Sequence, residues 1–163
     1  MNATVDVEIA LEDARWSNLG MHELAERAFA AAADKAGLAG DFEVSLLATS
    51  DARIADLNGT FRGKAKPTNV LSWPGEDLGP GIPGGAPTAP TYPELGDIAL
   101  GYETCAREAM ESGTDICDHV AHLLIHGFFH LLGYDHVRDE DATVMEALEI
   151  KTLESLGVKN PYK

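Results

Sequence analysis

The sequence predicts one domain that mixes helices with a β-sheet, of the α/β or α+β class. Two observations carry this expectation. Runs rich in alternating or β-branched residues at 5–11, 42–49, 68–74 and 95–101 are interleaved with helical patterns. Beyond residue 101 every patterned segment is helical. A third observation sets the domain count, because 163 residues suit one compact unit with enough interior to need no disulfide staples.

Taken in order, VDVEIAL (5–11) alternates and reads as the first strand. MHELAERAFAAAADKAG (21–37) is rich in alanine and leucine, reads as a helix, and stops at Gly37. FEVSLLAT (42–49) is the second strand. Ser50 or Asp51 then stands where a cap is needed for a helix through ARIADLNGTF. TNVLSWP (68–74) is the third strand, stopped by Pro74. Six of the eight prolines and five glycines fall between residues 74 and 93, which rules out a regular element there. Residues 75–93 are read as a solvent-exposed loop or partly disordered flap. They are not a domain linker, because LGDIALG (95–101) is a fourth strand that still needs sheet partners. A helix over 102–113 ends at Gly113. Thr114 or Asp115 caps the next one, DICDHVAHLLIHGFFHLLG, which Gly133 closes. DEDATVMEALEIKTLESLG (139–157) is the last helix. Its acids stand at the start, as the helix dipole favours, and Gly157 ends it.

The bulk numbers exclude some classes. No run reaches the roughly 18 apolar residues of a membrane span. The opening stretch, MNATVDVEIALEDARW, has no basic region followed by an apolar one and does not read as a signal peptide. Cys105 and Cys117 are twelve apart and match no CxxC pattern, so they read as small buried hydrophobes of a chain in the reducing cytoplasm. The net charge of −15 repels nucleic acid at long range, so an RNA partner requires a local basic patch.

The segment HGFFHLLGYDH (126–136) carries the chemistry. Residues advance about 100° each around a helix, so His126 and His130 lie on one face and can reach one metal ion. Gly133 ends the helix and lets the chain turn, which allows His136 to return as a third ligand. Three nitrogen ligands leave the fourth tetrahedral position free, as in a catalytic rather than a closed structural zinc site. Imidazole also suits nickel, copper and iron, so Ni2+ and similar ions are not excluded. The spacing is that of the zinc-peptidase pattern HExxHxxGxxH, but Gly127 stands where the catalytic glutamate belongs. A reaction here draws either on water activated by the metal alone or on a nucleophile carried by the substrate, such as the 2′-hydroxyl of RNA.

His122 falls on the same stripe and is read as a residue supporting the ligands or as a satisfied core histidine. His119 is read as a hydrogen-bonded packing residue and His22 as exposed. Asp135, next to a ligand, can orient an imidazole. Glu146 and Glu149 can do the same if the last helix packs near the site, but read first as surface or capping residues, and Met145 reads as packed beneath the metal or as ordinary core. FRGKAKP (61–67) gathers Arg62, Lys64 and Lys66, three of the twelve basic residues. In so acidic a chain a phosphate would land there, although the stretch alone reads as a solvated loop. Phe61 and Trp73 are aromatic enough to stack on bases, but a tryptophan at a strand end reads first as core.

These residues resemble the YbeY family of bacterial rRNA maturation factors, metal-dependent endoribonucleases specific for single strands. The family motif HGxLHLxGYDH is matched by HGFFHLLGYDH, with Phe129 in place of leucine. LNGTFRGKAKPTNVLSWP (57–74), LGDIAL (95–100) and MEALEIKTLESLGVKNPY (145–162) match in the same order, with Asn69 where many members have aspartate. The loop at 75–93 carries no family signature. The resemblance implies an α+β domain with a mixed four-stranded sheet and about five or six helices. It implies zinc on His126, His130 and His136, with Arg62 and His126 catalytic. Arg62, Lys64 and Lys66 are the RNA-binding candidates. It links the chain to maturation of the 16S rRNA 3′ end and to ribosome quality control. The implied partners are single-stranded RNA, the small ribosomal subunit, and a ribosomal protein or ribosome-associated GTPase. Two other readings stand beside it: a non-catalytic ribosome assembly factor with a structural metal, and a zinc peptidase without its usual glutamate.

Overall fold

A computed structural model describes residues 3–162. The chain runs through β1 (Ala3–Leu11), a 3-10 turn (Ala14–Asn18), α1 (Met21–Lys35), β2 (Gly40–Thr49), α2 (Asp51–Arg62), β3 (Val70–Pro74), β4 (Glu94–Gly101), α3 (Tyr102–Ser112), α4 (Ile116–Leu131) and α5 (Asp139–Ser155). The fold is α+β. Its sheet has the order β1-β2-β4-β3, with β1, β2 and β4 parallel and β3 antiparallel on the edge beside β4. Helix starts are set by the caps the sequence offered: Ser50 Oγ accepts from the Arg53 N–H at 3.3 Å, and Asp115 accepts from the Cys117 N–H at 2.8 Å.

The strands alternate, so each divides its side chains between two faces. On one face Val5, Val7, Val44, Leu46, Ile98 and Leu100 pack against α1 and α4. Small side chains on α1 (Ala25, Ala28, Ala32) allow close approach, and Phe29 stacks on Phe128 of α4 with ring centroids 5.2 Å apart. Helix α5 joins this core through Met145 and Leu153. The other face is covered only in part, by α2, where Ile54 packs with Leu71 and Ala99. The 3-10 turn, for which the sequence showed no periodic signal, buries Trp16 and directs its indole N–H to the Thr49 carbonyl at 2.9 Å. The cysteines are free; burial pushes the Cys105 thiol up to about 12, so it is an inert core residue. Among the described residues no helix is long and apolar enough to cross a membrane.

The segment 75–93 is irregular, as its prolines require, but it is not a free flap. Leu78 is buried, and Thr88 donates its N–H to the Leu78 carbonyl at 2.9 Å. The Glu76 carboxylate accepts the N–H groups of Thr91 and Tyr92. Asp141 of α5 accepts the Gly84 N–H at 2.8 Å, and Arg138 pairs with Asp141. The loop is therefore tied to the segment that follows α4. Gly133 marks the closest approach, with φ +102° and a hypothetical Cβ only 2.6 Å from the Leu78 carbonyl carbon. Gly133→Ala is expected to lower stability by at least about 1–2 kcal/mol from backbone strain alone, and to push the loop away. Thermal unfolding and limited proteolysis within 75–93 check both effects; an unchanged melting temperature and an unchanged cleavage pattern would contradict them.

Candidate metal centre and its cleft

From Val120 to Leu131, helix α4 buries every residue except His122, His126 and His130. The hydrophobic face thus leaves one stripe, at steps of four, free to do chemistry. Phe128 and Phe129 are fully buried on other sides of the helix. Gly127 is buried too, and a Cβ there would meet Ile98 of β4 at 3.2 Å. The position that holds a base in zinc peptidases is used here for helix–sheet packing.

After Gly133 the chain returns, and His136 joins the other two. One ring nitrogen from each of His126, His130 and His136 lies within 4.8 Å of the others. The ring centroids are 4.5, 5.3 and 5.1 Å apart. His126 and His130 are half-buried and His136 is exposed. The turn is set by Asp135, whose carboxylate accepts the His136 backbone N–H at 2.7 Å. Asp135 thus places His136 through its backbone.

The imidazoles are oriented by other groups. His126 Nδ1 meets Glu149 Oε2 of α5 at 2.9 Å, and His130 Nδ1 meets the Tyr134 carbonyl at 3.0 Å. Both partners can only accept, so both Nδ1 atoms carry the proton in the neutral rings. The two Nε2 atoms are then bare, and they face each other at 3.0 Å. Burial, with His126 and His136 alongside, holds His130 down to about 4, so it is neutral near pH 7. Lone pairs converging without a proton between them fit a cation, and three imidazoles fit a divalent transition metal. His126, His130 and His136 are the residues that could hold it.

Glu149 is fully buried. Burial alone would raise its carboxyl, but hydrogen bonds from His122 and His126, with a further one from Tyr162, outweigh it and hold the group at about 2. Oε1 accepts from His122 Nε2 at 2.8 Å and from the Tyr162 hydroxyl at 2.6 Å. The carboxylate therefore links His122, Tyr162 and His126, an arrangement that fixes the His126 ring and its tautomer.

Arg62, the last residue of α2, is held by Gly63 in the left-handed conformation that ends the helix (φ 70°). Its guanidinium donates to the Ser72 carbonyl at 2.7 Å. It opens onto two adjoining clefts of about 970 and 340 Å³ that share Arg62, Ser72, His130 and His136. The larger is walled by the loop 74–80 and by Asp135 to Arg138. The smaller runs past His126 and His122 to Tyr162. Together they form one groove with the histidines and the arginine at its middle.

The endoribonuclease YbeY family model matches residues 6–157. The chain belongs to the endoribonuclease YbeY family. It is 54% identical over 167 residues to the endoribonuclease YbeY of Dinoroseobacter shibae, covering 99% of this chain and 92% of that relative. It is 52% identical over 163 residues to that of Ruegeria pomeroyi, covering 96% of this chain and 97% of the relative. Its fold is also similar to the solution structure of a Thermotoga maritima protein, with a TM-score of 0.58 and 22% identity over 96% of this chain and 99% of that one.

Within this YbeY chain the motif's three histidines and the distant Arg62 come together. The expectations for Glu149 and Asp135 need correction. Glu149 is not a surface or capping residue but the buried acceptor behind His126. The signal was present: it stands four residues after the buried Met145, on the inward stripe of α5, where a charge requires partners. Glu146 is half-buried and, among the described residues, makes no hydrogen bond to His126, His130 or His136. Asp135 meets a backbone N–H rather than an imidazole. Lys64 and Lys66 are exposed and line neither cleft. Phe61 and Trp73 meet edge-on, 5.8 Å apart, in a separate groove on the far face of the sheet. The alternation of β3 explains this, because Ser72 faces the histidines and Trp73 faces away. His119 pairs with Glu108 at 2.9 Å and His22 is exposed, both as expected.

Proposed function

We propose that the protein is a zinc-dependent endoribonuclease that cuts single-stranded RNA. Its work is rRNA processing in the cytoplasm, at the 16S rRNA 3′ end, and ribosome quality control, with the small ribosomal subunit as partner. A ribosomal protein or ribosome-associated GTPase would bring it there. One observation carries this reading: three imidazoles with converging ring nitrogens share a groove with an anchored arginine. When bound on His126, His130 and His136, zinc supplies Lewis acidity to an oxygen at the scissile phosphodiester. Arg62 spends one N–H on Ser72 and keeps the rest for phosphate oxygens, where charge builds as the bond breaks. Glu149 holds His126 with its proton on Nδ1, so that Nε2 stays available. The open groove, rather than a closed pocket, suits a strand that passes through.

The test combines elemental analysis with cleavage of a single-stranded RNA. The native protein is expected to carry zinc and to cut. Chelator, or His126→Ala, is expected to abolish cutting while the fold is retained by circular dichroism. Full cleavage by the His126→Ala protein would sink the assignment. The net charge of −15 favours a second reading, a non-catalytic assembly factor docked through a basic protein. That reading prevails if chelation melts the protein and the zinc-loaded form never cuts RNA.

A further inference from the structure

We infer that Tyr162 is the stacking platform of a nucleobase subsite beside the metal centre, so that the smaller cleft takes an unpaired base. This rests on the endoribonuclease reading and deepens it. Three features converge. First, the Tyr162 ring is 45% exposed yet fixed. Its hydroxyl is held by Glu149 at 2.6 Å, and its ring stands edge-on to His122 with centroids 5.6 Å apart. An exposed aromatic that has already lost its rotational freedom loses little more when a base lies on it. Second, the cleft it walls is lined by apolar residues, Val70 and Leu123 among them, as well as by Arg62 and the histidines of the candidate metal centre. A nucleotide offers both kinds of group, an apolar ring face and a charged phosphate. Third, the spacing fits a strand. The ring centroids step 5.6 Å from Tyr162 to His122 and 6.4 Å from His122 to His126, so one short strand can reach both the platform and the metal centre.

Two other exposed aromatics, Phe61 and Tyr92, do not compete for this role: Phe61 lies in the groove on the far face of the sheet, which contains no histidine, and Tyr92 lines neither cleft. Because only an unstacked base offers its face to Tyr162, the subsite would select against paired strands without reading sequence.

The experiment measures the Kd and KM of the zinc-loaded protein for a short single-stranded RNA, using Tyr162→Phe and Tyr162→Leu. It also uses RNAs in which an abasic nucleotide is moved along the strand. Tyr162→Phe keeps the ring and is expected to bind within about twofold of native. Tyr162→Leu is expected to weaken Kd and KM about tenfold or more relative to Tyr162→Phe, which loses the same hydroxyl bond to Glu149 but keeps the ring. One abasic position should weaken binding to the native protein and have no added effect on the leucine variant. An unchanged Kd in Tyr162→Leu overturns the subsite while leaving the nuclease reading intact. Tyr162→Phe as damaging as Tyr162→Leu also overturns it, because the hydroxyl's hold on Glu149 would then be what matters. If the native protein neither binds nor cuts the RNA, both readings fall together.

Discussion

Arg62→Ala is expected to slow RNA cleavage by about 10²–10³-fold while zinc content and thermal stability stay at native levels. The separation follows from geometry. Arg62 makes no hydrogen bond to the three histidines and is exposed, so its removal strands no buried group; among the described residues its one side-chain hydrogen bond is to the Ser72 carbonyl, which water can satisfy. Its contribution belongs to the moment when charge grows on the phosphate. The loss should therefore appear mainly in kcat, with a smaller rise in KM from the lost ground-state attraction. Arg62→Lys is expected to recover little. A lysine that reaches Ser72 has no second planar edge left for phosphate. A variant that keeps full kcat, or one that loses its zinc, would remove Arg62 from the chemistry.

Glu149→Gln is expected to weaken zinc binding about 10- to 100-fold without collapsing the fold. Three donors converge on the carboxylate: the hydroxyl of Tyr162 and the ring N–H groups of His122 and His126. An amide offers one acceptor and one donor in the same space. If its NH2 faces His126, the imidazole must present a lone pair at Nδ1 and move its proton to Nε2. That proton then fills the 3.0 Å gap to His130 Nε2, and a ligand is lost. Glu149→Ala adds a different cost, because buried donors are left without an acceptor at about 1–3 kcal/mol each. The glutamine variant should thus mainly lose metal, and the alanine variant both metal and melting temperature. Zinc titration against a competing chelator, with imidazole nitrogen NMR to assign the tautomer, reads the two effects separately. Native zinc affinity in both variants would show that Glu149 only fills space.

The fold was legible where local chemistry decides it. Alternation marked the strands, Gly37, Gly113 and Gly157 marked helix ends, and Ser50 and Asp115 marked helix starts. Each of these signals acts within a few residues. The 3-10 turn around Trp16 escaped notice because a single turn is too short to show a period. The loop at 75–93 was recognised as irregular, but its attachment was not. Leu78 under Gly133 and Gly84 on Asp141 are contacts between distant segments, and composition carries no trace of them.

The same boundary runs through the site. The spacing of His126, His130 and His136 follows from helix geometry plus one glycine turn, so their convergence could be read directly from the chain. The absence of a carboxylate at 127 was equally plain. Which acid stands behind His126, where Arg62 points, and which aromatic faces the groove were settled only by packing. Glu149 reaches His126 because α5 lies against α4. Arg62 reaches the groove because α2 ends over β3, and the two-residue period of β3 turns Ser72 towards the histidines and Trp73 away. Ligand spacing is local and repeats whenever a helix forms. The partners that orient ligands and receive substrate come from segments far apart in the chain, and only burial of the shared core brings them to one place.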